Sequence, residues 1–194
     1  CIGIVGVNGC GKTTLLSILA GALKADRGKV MLQGKEATGD PSVFASLAAY
    51  VPQENPLMEE LTVRDNLFLW YRGSRQERDL EEGPAAMLGI PAMLKKRAAH
   101  ISGGMKKRLS IACALSNHAP LLILDEPGAA LDLECKEEIR CYLGEYVKKG
   151  GTVLLASHEM EELSLCSHFY ALRQAELVPI ASGLSARELI GQFR

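Results

Sequence analysis

With 194 residues, the chain is long enough to bury a sizeable core and suits one large domain better than two independent ones. Its 22 Lys and Arg residues balance 23 Asp and Glu residues, and the formal net charge of −1 excludes a chain-wide electrostatic footprint for nucleic acid or an anionic membrane surface. Its six cysteines form no C-x-x-C pair, which favours reduced thiols in the cytosol, and no apolar run approaches the roughly 18 residues of a membrane span.

The first thirteen residues predict a strand, a glycine-rich loop and the start of a helix. Gly6, Gly9 and Gly11 have no Cβ, so backbone N–H groups can close around anionic oxygens at a helix N-terminus, where the helix dipole also favours negative charge. Lys12 is predicted to reach the β- and γ-phosphates of a nucleotide, and the Thr13 hydroxyl is predicted to bind Mg²⁺. The residues predicted to hold the nucleotide are Asn8, Gly9, Cys10, Gly11, Lys12, Thr13 and Thr14.

Two short strands are predicted in the next forty residues. Turn residues flank Lys29–Leu32, so this segment is expected in a hairpin or at a sheet edge. A loose stretch through Pro41 then leads to an apolar run, Leu47–Val51, which Pro52 ends. Gln53 follows this strand directly, and the carboxyl end of a strand is where α/β folds place ligand contacts.

From Thr62 to about Asn117 the sequence predicts short helices and no strand. Two segments, Thr62-x-x-Asp65 and Ser74-x-x-Glu77, have the pattern of helix N-terminal caps, and glycines and prolines divide the region. A helical insertion within an α/β chain is therefore the simplest description.

The last helix of this insertion is predicted to begin at Ser102-Gly103-Gly104. Apolar residues with helical spacing follow, which predicts a helix with one buried face. Lys106, Lys107 and Arg108 lie near the helix start, where the dipole disfavours cations. They allow two interpretations, either solvated side chains or a helix start that faces an anion.

A continuous aliphatic strand, Leu121–Leu124, leads into two carboxylates, Asp125 and Glu126. Adjacent carboxylates at the end of a buried strand are costly unless a cation or a substrate uses them. Alternation along a strand points the two side chains in opposite directions, which predicts two different roles.

Another buried strand is predicted at Thr152–Ala156, after a helix that begins at Leu131-Asp132 and stops at Gly150-Gly151. His158 follows this strand, and its position at the end of a core strand makes it a candidate catalytic residue. The remaining predicted elements are strands at 169–172 and 177–180 and a last helix capped by Ser185-x-x-Glu188.

Taken in order, these motifs resemble the nucleotide-binding subunit of an ATP-binding cassette (ABC) transporter over nearly the whole chain. Phosphate loops alone are widespread, but the ordered set is highly specific. The form Ser-Gly-Gly-Met followed by basic residues is similar to the subgroup that serves exporters with separate membrane subunits. The motifs are the phosphate loop, a strand ending in Gln53, a helical insertion, Ser102-Gly103-Gly104, Asp125-Glu126-Pro127, Leu131-Asp132 and Ser157-His158.

The resemblance implies a single α/β domain, with a P-loop NTPase core built on a mostly parallel sheet and an inserted helical subdomain. It assigns 1–58 and 118–180 to the core, 59–117 to the helical subdomain with the signature motif, and 181–194 to a C-terminal helix. Because the sequence starts at Cys1 directly in a core strand, the family's N-terminal antiparallel strands and its adenine-stacking aromatic residue are expected to be missing from it.

The resemblance also implies an ATPase and a role for each motif residue. Glu126 would polarise the attacking water, His158 would lie near the γ-phosphate, and Gln53 would link the metal site to a transmembrane partner. The implied Mg²⁺ ligands are Thr13, Gln53 and Asp125. The residues implied to contact ATP from the opposite subunit, or to join the two sites, are Ser102, Gly103, Gly104 and Asp132.

The implied cofactors are therefore ATP and Mg²⁺, with ATP sandwiched between two nucleotide-binding subunits, identical or different. Transmembrane permease subunits are the other implied partners, and no nucleic acid is expected. The chain would lie in the cytoplasm, peripheral on the inner face of the cell membrane. Export is the favoured direction, and the membrane subunits of this family contact the cargo, so the sequence does not identify it.

Two alternatives remain open. A cassette ATPase of DNA repair or ribosomes is disfavoured because such relatives tend to carry two cassettes or a long coiled coil, and residues 54–101 show no sustained heptads. A nucleotide-binding regulator without turnover is the other alternative, and the presence of Glu126 favours hydrolysis instead.

Overall fold

The structure is a computed structural model that describes residues 1–71 and 76–181. The strands within these residues are β1 (Ile2–Val5), β2 (Met31–Leu32), β3 (Lys35–Glu36), β4 (Ala48–Val51), β5 (Leu121–Asp125), β6 (Thr152–Ala156), β7 (His168–Arg173) and β8 (Glu176–Ile180). The helices are α1 (Lys12–Leu19), α2 (Pro41–Leu47), α3 (Val63–Phe68), α4 (Gln76–Glu81), α5 (Pro84–Met87), α6 (Gly103–Ala114), α7 (Leu133–Lys148) and α8 (Met160–Leu163). Short 3₁₀ turns lie at Ile90–Met93, Ala98–His100 and Leu115–Asn117.

The main sheet is mostly parallel, as the sequence predicts. Its strand order is β4-β5-β6-β1-β7-β8, and β8 alone of these pairs antiparallel, with β7. The central strand β1 pairs on one side with β6, where Ile4 lies opposite Ala156, and on the other with β7, where it lies opposite Tyr170. Because parallel strands end at one edge, the residues that follow β1, β4, β5 and β6 lie close together.

Helices cover both faces of the sheet around β5, so this central strand is buried on both sides. Leu122 and Leu124 of β5 belong to the large core shared with α6 and α7. Ile123, between them, packs on the opposite side with Leu16 of α1 and Ile4 of β1. The continuous aliphatic sequence of β5 therefore reflects a central strand without a solvated face.

Three helix starts are confirmed by their caps. The Thr62 hydroxyl accepts a hydrogen bond from Asp65 N at 3.1 Å, the Ser102 hydroxyl accepts one from Met105 N at 3.3 Å, and an Asp132 carboxylate oxygen accepts one from Cys135 N at 2.8 Å. These bonds satisfy first-turn N–H groups that have no partner within their own helix. The caps predicted at Ser74 and Ser185, and residues 182–194 of the predicted C-terminal helix, lie outside the described residues.

The predicted hairpin is also present, because β2 and β3 pair antiparallel across a turn at Gln33 and Gly34, with φ values of 47° and 76°. The sequence analysis predicted a loose stretch through Pro41 and no helix before the next strand. The structure instead has a helix, α2, over Pro41–Leu47, and the strand begins at Ala48. Asp40 caps this helix by accepting a hydrogen bond from Ser42 N at 2.9 Å. This helix has only seven residues, none of them fully buried, so its apolar pattern was too short for periodicity to reveal it.

Leu16→Ala is expected to lower the free energy of unfolding by about 2–5 kcal/mol, because it leaves a cavity between α1 and the sheet. Leu16 is 0% exposed, whereas Leu133, the matched control, is 75% exposed. Leu133→Ala is expected to change stability by less than about 0.5 kcal/mol. Urea denaturation of both variants measures the difference, and equal losses would contradict this account of the core.

Candidate functional site

A cavity of about 520 Å³ opens at the carboxyl edge of the parallel strands. Its lining comes from four loops, which follow β1, β4, β5 and β6, and from the first turn of α1. Every lining residue is among the predicted site residues. They are Asn8, Gly9, Gly11, Lys12, Thr13, Thr14, Gln53, Asp125, Glu126 and His158.

The glycine-rich loop turns sharply to deliver α1 to this cavity. Gly9 and Gly11 take left-handed backbone conformations, with φ values of 80° and 104°, which residues with a Cβ rarely adopt. Lys12 folds back over the loop, and its Nζ donates to Gly6 O at 2.9 Å. Cys10 does not line the cavity, because its Sγ packs back towards Gly6, where a Cβ would lie only 2.6 Å from the sulfur. The loop thus presents an ammonium and the free N–H groups of a helix start to one space.

Three charged or titratable side chains meet above this loop. Nε2 of His158 lies 3.0 Å from Oε1 of Glu126 and 3.1 Å from Nζ of Lys12. Burial raises the pKa of Glu126 above its ordinary value, and the nearby His158 and Lys12 oppose part of that rise. A carboxylate with a raised pKa beside an imidazole is suited to accept and return a proton.

Strand alternation does not separate Asp125 from Glu126, because both line the cavity. Asp125 is the last residue of β5, whereas Glu126 has already left the strand with a φ of 48°. A positive φ is uncommon for a residue with a side chain, and such strain is typical of functional positions. The environments of the two carboxylates still differ, since Glu126 contacts His158 and Asp125 does not.

Asp125 offers a site for a cation. It is only 1% exposed, and among the described residues neither of its carboxylate oxygens has a hydrogen-bond partner. The Thr13 hydroxyl and the Gln53 side chain line the same cavity, so the available donors include the hard oxygens that Mg²⁺ prefers. No group of three or more His, Cys, Asp and Glu side chains suited to a metal occurs within residues 1–71 and 76–181. The residues therefore fit an ion held by one carboxylate and by phosphate, rather than one enclosed by protein.

The other predicted residues lie outside this cavity, where α6 and α7 begin side by side, and this cluster is called the predicted second site. Ser102, Gly103 and Asp132 are exposed there, and none of them lines the cavity. Gly104 lies beneath them, and a Cβ at this position would meet Cys135 Sγ at 2.1 Å. The absence of a side chain at Gly104 therefore allows α6 to approach α7 closely.

The basic residues of α6 all have partners, so the interpretation as solvated side chains is wrong. Lys106 contacts Glu59 at 2.6 Å, and Arg108 contacts Glu138 at 2.9 Å. Lys107 is 2% exposed, and its Nζ donates to two backbone carbonyls. Lys107 lies three residues after the buried Gly104 and thus on the same side of the helix, but no apolar pattern in the sequence marked this burial.

Glu162 is a second buried group that the sequence analysis missed. It is 8% exposed, burial raises its pKa, and its Oε1 lies where a Cβ of Gly128 would be. It belongs to α8, four residues after His158, and Gly128 belongs to the loop between Glu126 and Asp132. No motif marked it, since a glutamate in a short helix is ordinarily solvated.

One family pattern, described as ABC transporter, matches residues 1–129 of the chain. The chain belongs to the ABC transporter family. As a member of the ABC transporter family, the chain is 35% identical over 184 residues to the "Nod factor export ATP-binding protein I" of Sinorhizobium fredii. This match covers 92% of the chain and 53% of the relative. It is 37% identical over 183 residues to a "Molybdate/tungstate import ATP-binding protein" of Pyrococcus abyssi, with coverage of 91% and 53%. The chain thus spans about half the length of both relatives.

Solved structures agree with the family's α/β fold. The chain superposes with a TM-score of 0.79 and 26% identity on a dimeric ATP-binding cassette in a post-hydrolysis state bound to ADP and Pi, covering 91% of this chain and 82% of that one. It superposes on the ATP-binding subunit of an ABC transporter with a TM-score of 0.84 and 26% identity, covering 98% of this chain and 86% of that one.

Among the described residues of this ABC transporter family chain, no helix combines the length and apolar character needed to cross a membrane.

Glu126→Gln is expected to raise the melting temperature at pH 7. Because burial raises the pKa of Glu126, the folded chain binds this proton more tightly than the unfolded chain, and stability falls as the pH rises above the ordinary value of 4.5. The variant's advantage should therefore shrink as the pH falls below 4.5, where Glu126 is protonated in both states.

Glu137→Gln is the matched control for this pH series. The pKa of Glu137 is lowered, chiefly by hydrogen bonds from Arg140 and Cys141, so its replacement should bring no stabilisation at pH 7. Thermal scans of both variants between pH 4 and pH 8 measure the difference. A Glu126→Gln protein that melts below the unaltered chain at pH 7 would contradict the electrostatic account of this site.

Proposed function

We propose that the chain is the ATP-hydrolysing subunit of an ABC transporter, with residues 1–58 and 118–180 as its core, 59–117 as a helical subdomain and 181–194 as a C-terminal helix. One observation carries the proposal: a single cavity combines the phosphate loop, a buried unpaired carboxylate at Asp125, and the contact between Glu126 and His158. Phosphoryl transfer to water needs donors for phosphate oxygens, a metal and an oriented nucleophile. This cavity has residues for each need.

The phosphates of ATP would bind to Lys12 and to the first-turn N–H groups of α1. Lys12 Nζ lies within the cavity lining and would exchange part of its contact with loop carbonyls for phosphate oxygens. Thr13, Gln53 and Asp125 would hold Mg²⁺, which when bound neutralises charge on the β- and γ-phosphates. The helix dipole of α1 favours the same negative charge.

Glu126 would orient and polarise the attacking water. Its raised pKa brings a carboxylate closer to the pH at which a general base is effective. His158 lies within hydrogen-bond distance of both Glu126 and Lys12, so it would fix the carboxylate and lie near the γ-phosphate. A regulator without turnover has no need for this base.

Ser102, Gly103, Gly104 and Asp132 would complete the site of a second nucleotide-binding subunit, identical or different. Their separation from the chain's own cavity supports this assignment, because residues that bind ATP only across an interface must lie outside it. The exposed start of α6 offers free N–H groups to an anion. The structurally similar cassette described above is dimeric and bound to ADP and Pi, which supports a dimer as the functional form.

Transmembrane permease subunits would be the other partners, and they would hold the chain at the inner face of the cell membrane. Near the loop of Gln53, Trp70 lines a small cavity together with Pro52 and Leu57 and is 44% exposed, and Met58, the residue after Leu57, is 55% exposed. Exposed apolar side chains that lie close together are typical of a contact surface. Relatives named as import and export ATP-binding proteins support a transport role, and the Ser-Gly-Gly-Met motif favours export.

Lys12→Ala is expected to weaken Mg-ATP binding at least tenfold, because charge-assisted hydrogen bonds of about 1.5–3 kcal/mol each are lost together. Lys24→Ala removes an exposed lysine and serves as the control for net charge. Isothermal titration with Mg-ATP measures both affinities. An affinity of the Lys12→Ala protein within twofold of the unaltered chain would rule out this phosphate contact.

Glu126→Gln is expected to slow ATP hydrolysis by about 10²- to 10⁴-fold while ATP binding persists. Unhydrolysed ATP should then hold two chains together, since a ligand that binds across an interface stabilises the dimer. Light scattering after size exclusion should show a dimer with ATP and a monomer with ADP. Turnover at the unaltered rate would count against Glu126 as the base.

The dimer surface is tested by adding Ser102→Trp to the Glu126→Gln protein. The double variant should remain monomeric with ATP yet still bind it. Ser46→Trp, at an exposed serine of α2, is the matched control and should leave the ATP-dependent dimer intact. Dimerisation of the Ser102→Trp double variant would show that the second site lies elsewhere.

A further inference from the structure

Helix α6 is fastened to the segment 52–59 at three points. Lys107 Nζ donates to Pro52 O at 3.0 Å and to Gln53 O at 2.9 Å. One turn later, the Ser110 hydroxyl donates to Asn55 Oδ1 at 3.1 Å. Lys106 contacts Glu59 at 2.6 Å, close to the solvent. The segment that follows β4 therefore depends on α6 for its position.

The contact of Lys107 differs from the other two because a full charge is buried. Burial of an ammonium lowers the pKa of Lys107, and the carboxylates of Asp125 and Glu162 oppose this effect. The ammonium therefore interacts with the charge of Asp125, which lines the cavity. An apolar side chain at this position would avoid the cost of burying a charge, so the lysine is suited to a task other than packing.

The acceptors of Lys107 define that task. Both are backbone carbonyls, and they belong to the two successive peptide groups on either side of the Gln53 Cα, while Pro52 has no N–H with which to anchor the strand end. A cation that binds both carbonyls fixes the two peptide planes between which the Gln53 side chain leaves for the cavity. Because the same helix begins at Ser102, the contact also joins the second site to the first.

We propose that Lys107 is a positioning residue for the nucleotide cavity, which holds Gln53 beside Asp125 and ties its position to that of α6. Lys107 does not line the cavity and touches no reacting atom. Its effect is exerted through the backbone of the 52–53 segment. The role in catalysis rests on the proposed ATPase function, whereas the hold on the segment does not.

Lys107→Met tests the proposal, because methionine keeps much of the volume and removes the charge and its donors. Hydrogen exchange of the amides at 53–55, without nucleotide, should accelerate by roughly tenfold, because the loss of both carbonyl hydrogen bonds from Lys107 lets this segment open more often. The amides of the phosphate loop should be unaffected. Lys106→Met is the matched control, since it removes a neighbouring lysine contact to the same segment, and it should leave exchange at 53–55 unchanged.

Steady-state kinetics give the second measurement. Lys107→Met should raise the Mg²⁺ concentration needed for half-maximal hydrolysis by about tenfold and lower kcat by about tenfold. The KM for ATP should stay within about twofold of the unaltered value, because Lys12 is unchanged. The loss of a residue that only stabilises the fold would not change the Mg²⁺ requirement while leaving the KM for ATP unchanged. Lys107→Arg keeps a charge and several donors, and it should recover part of the Mg²⁺ dependence.

Unchanged exchange at 53–55 in the folded Lys107→Met protein would overturn the proposal, as would an unchanged Mg²⁺ dependence. If thermal scans show that Lys107→Met does not fold, Lys107→Gln decides, because glutamine keeps one donor group but removes the charge, and a Mg²⁺ dependence identical to that of the unaltered chain would overturn the proposal. If the unaltered chain hydrolyses no ATP, the proposed function fails. The exchange experiment then still tests the hold of Lys107 on Gln53.

Discussion

Asp125 ends a strand that is buried on both faces, and neither of its oxygens has a hydrogen-bond partner among the described residues. A buried carboxylate is tolerated only where positive charge compensates it, and two sources are available here. The ammonium of Lys107 acts from the side of α6, and the cavity leaves room for a cation on the other. The arrangement of β5, α6 and the phosphate loop is thus constrained by one charge.

Helix α6 links the predicted second site to the segment that follows β4. Its exposed start carries Ser102 and Gly103, its buried face carries Gly104 against α7, and its next turn carries Lys107 against the carbonyls after β4. A displacement of the helix start would therefore move the backbone of Gln53, because hydrogen bonds from Lys107 join α6 to this residue in addition to packing. The predicted second site and the cavity thus lie apart but are mechanically connected through α6.

Sequence reasoning predicted the cavity well because its residues follow strands with strong patterns. Strands β1, β5 and β6 are short apolar runs, and parallel pairing brings the residues after them together whatever lies between. Helix α2 was missed because it buries no residue, although Asp40-Pro41 is a pattern of helix starts. The burial of Lys107 was missed because its acceptors are backbone atoms 54 and 55 residues away, which leave no side-chain pattern.

The two glycines at the start of α6 differ in what surrounds them. A Cβ at Gly103 would meet only Leu131 Cδ2, at an ordinary 3.7 Å, whereas one at Gly104 would collide with Cys135 Sγ. In genetic terms, a side chain at Gly103 alters an exposed surface, whereas one at Gly104 pushes α6 away from α7. Because the Cys135 Cβ itself would lie 2.7 Å from a Cβ at Gly104, a second-site suppressor of Gly104→Ala must remove that Cβ as well, as Cys135→Gly does, and the same suppressor would do nothing for a change at Gly103.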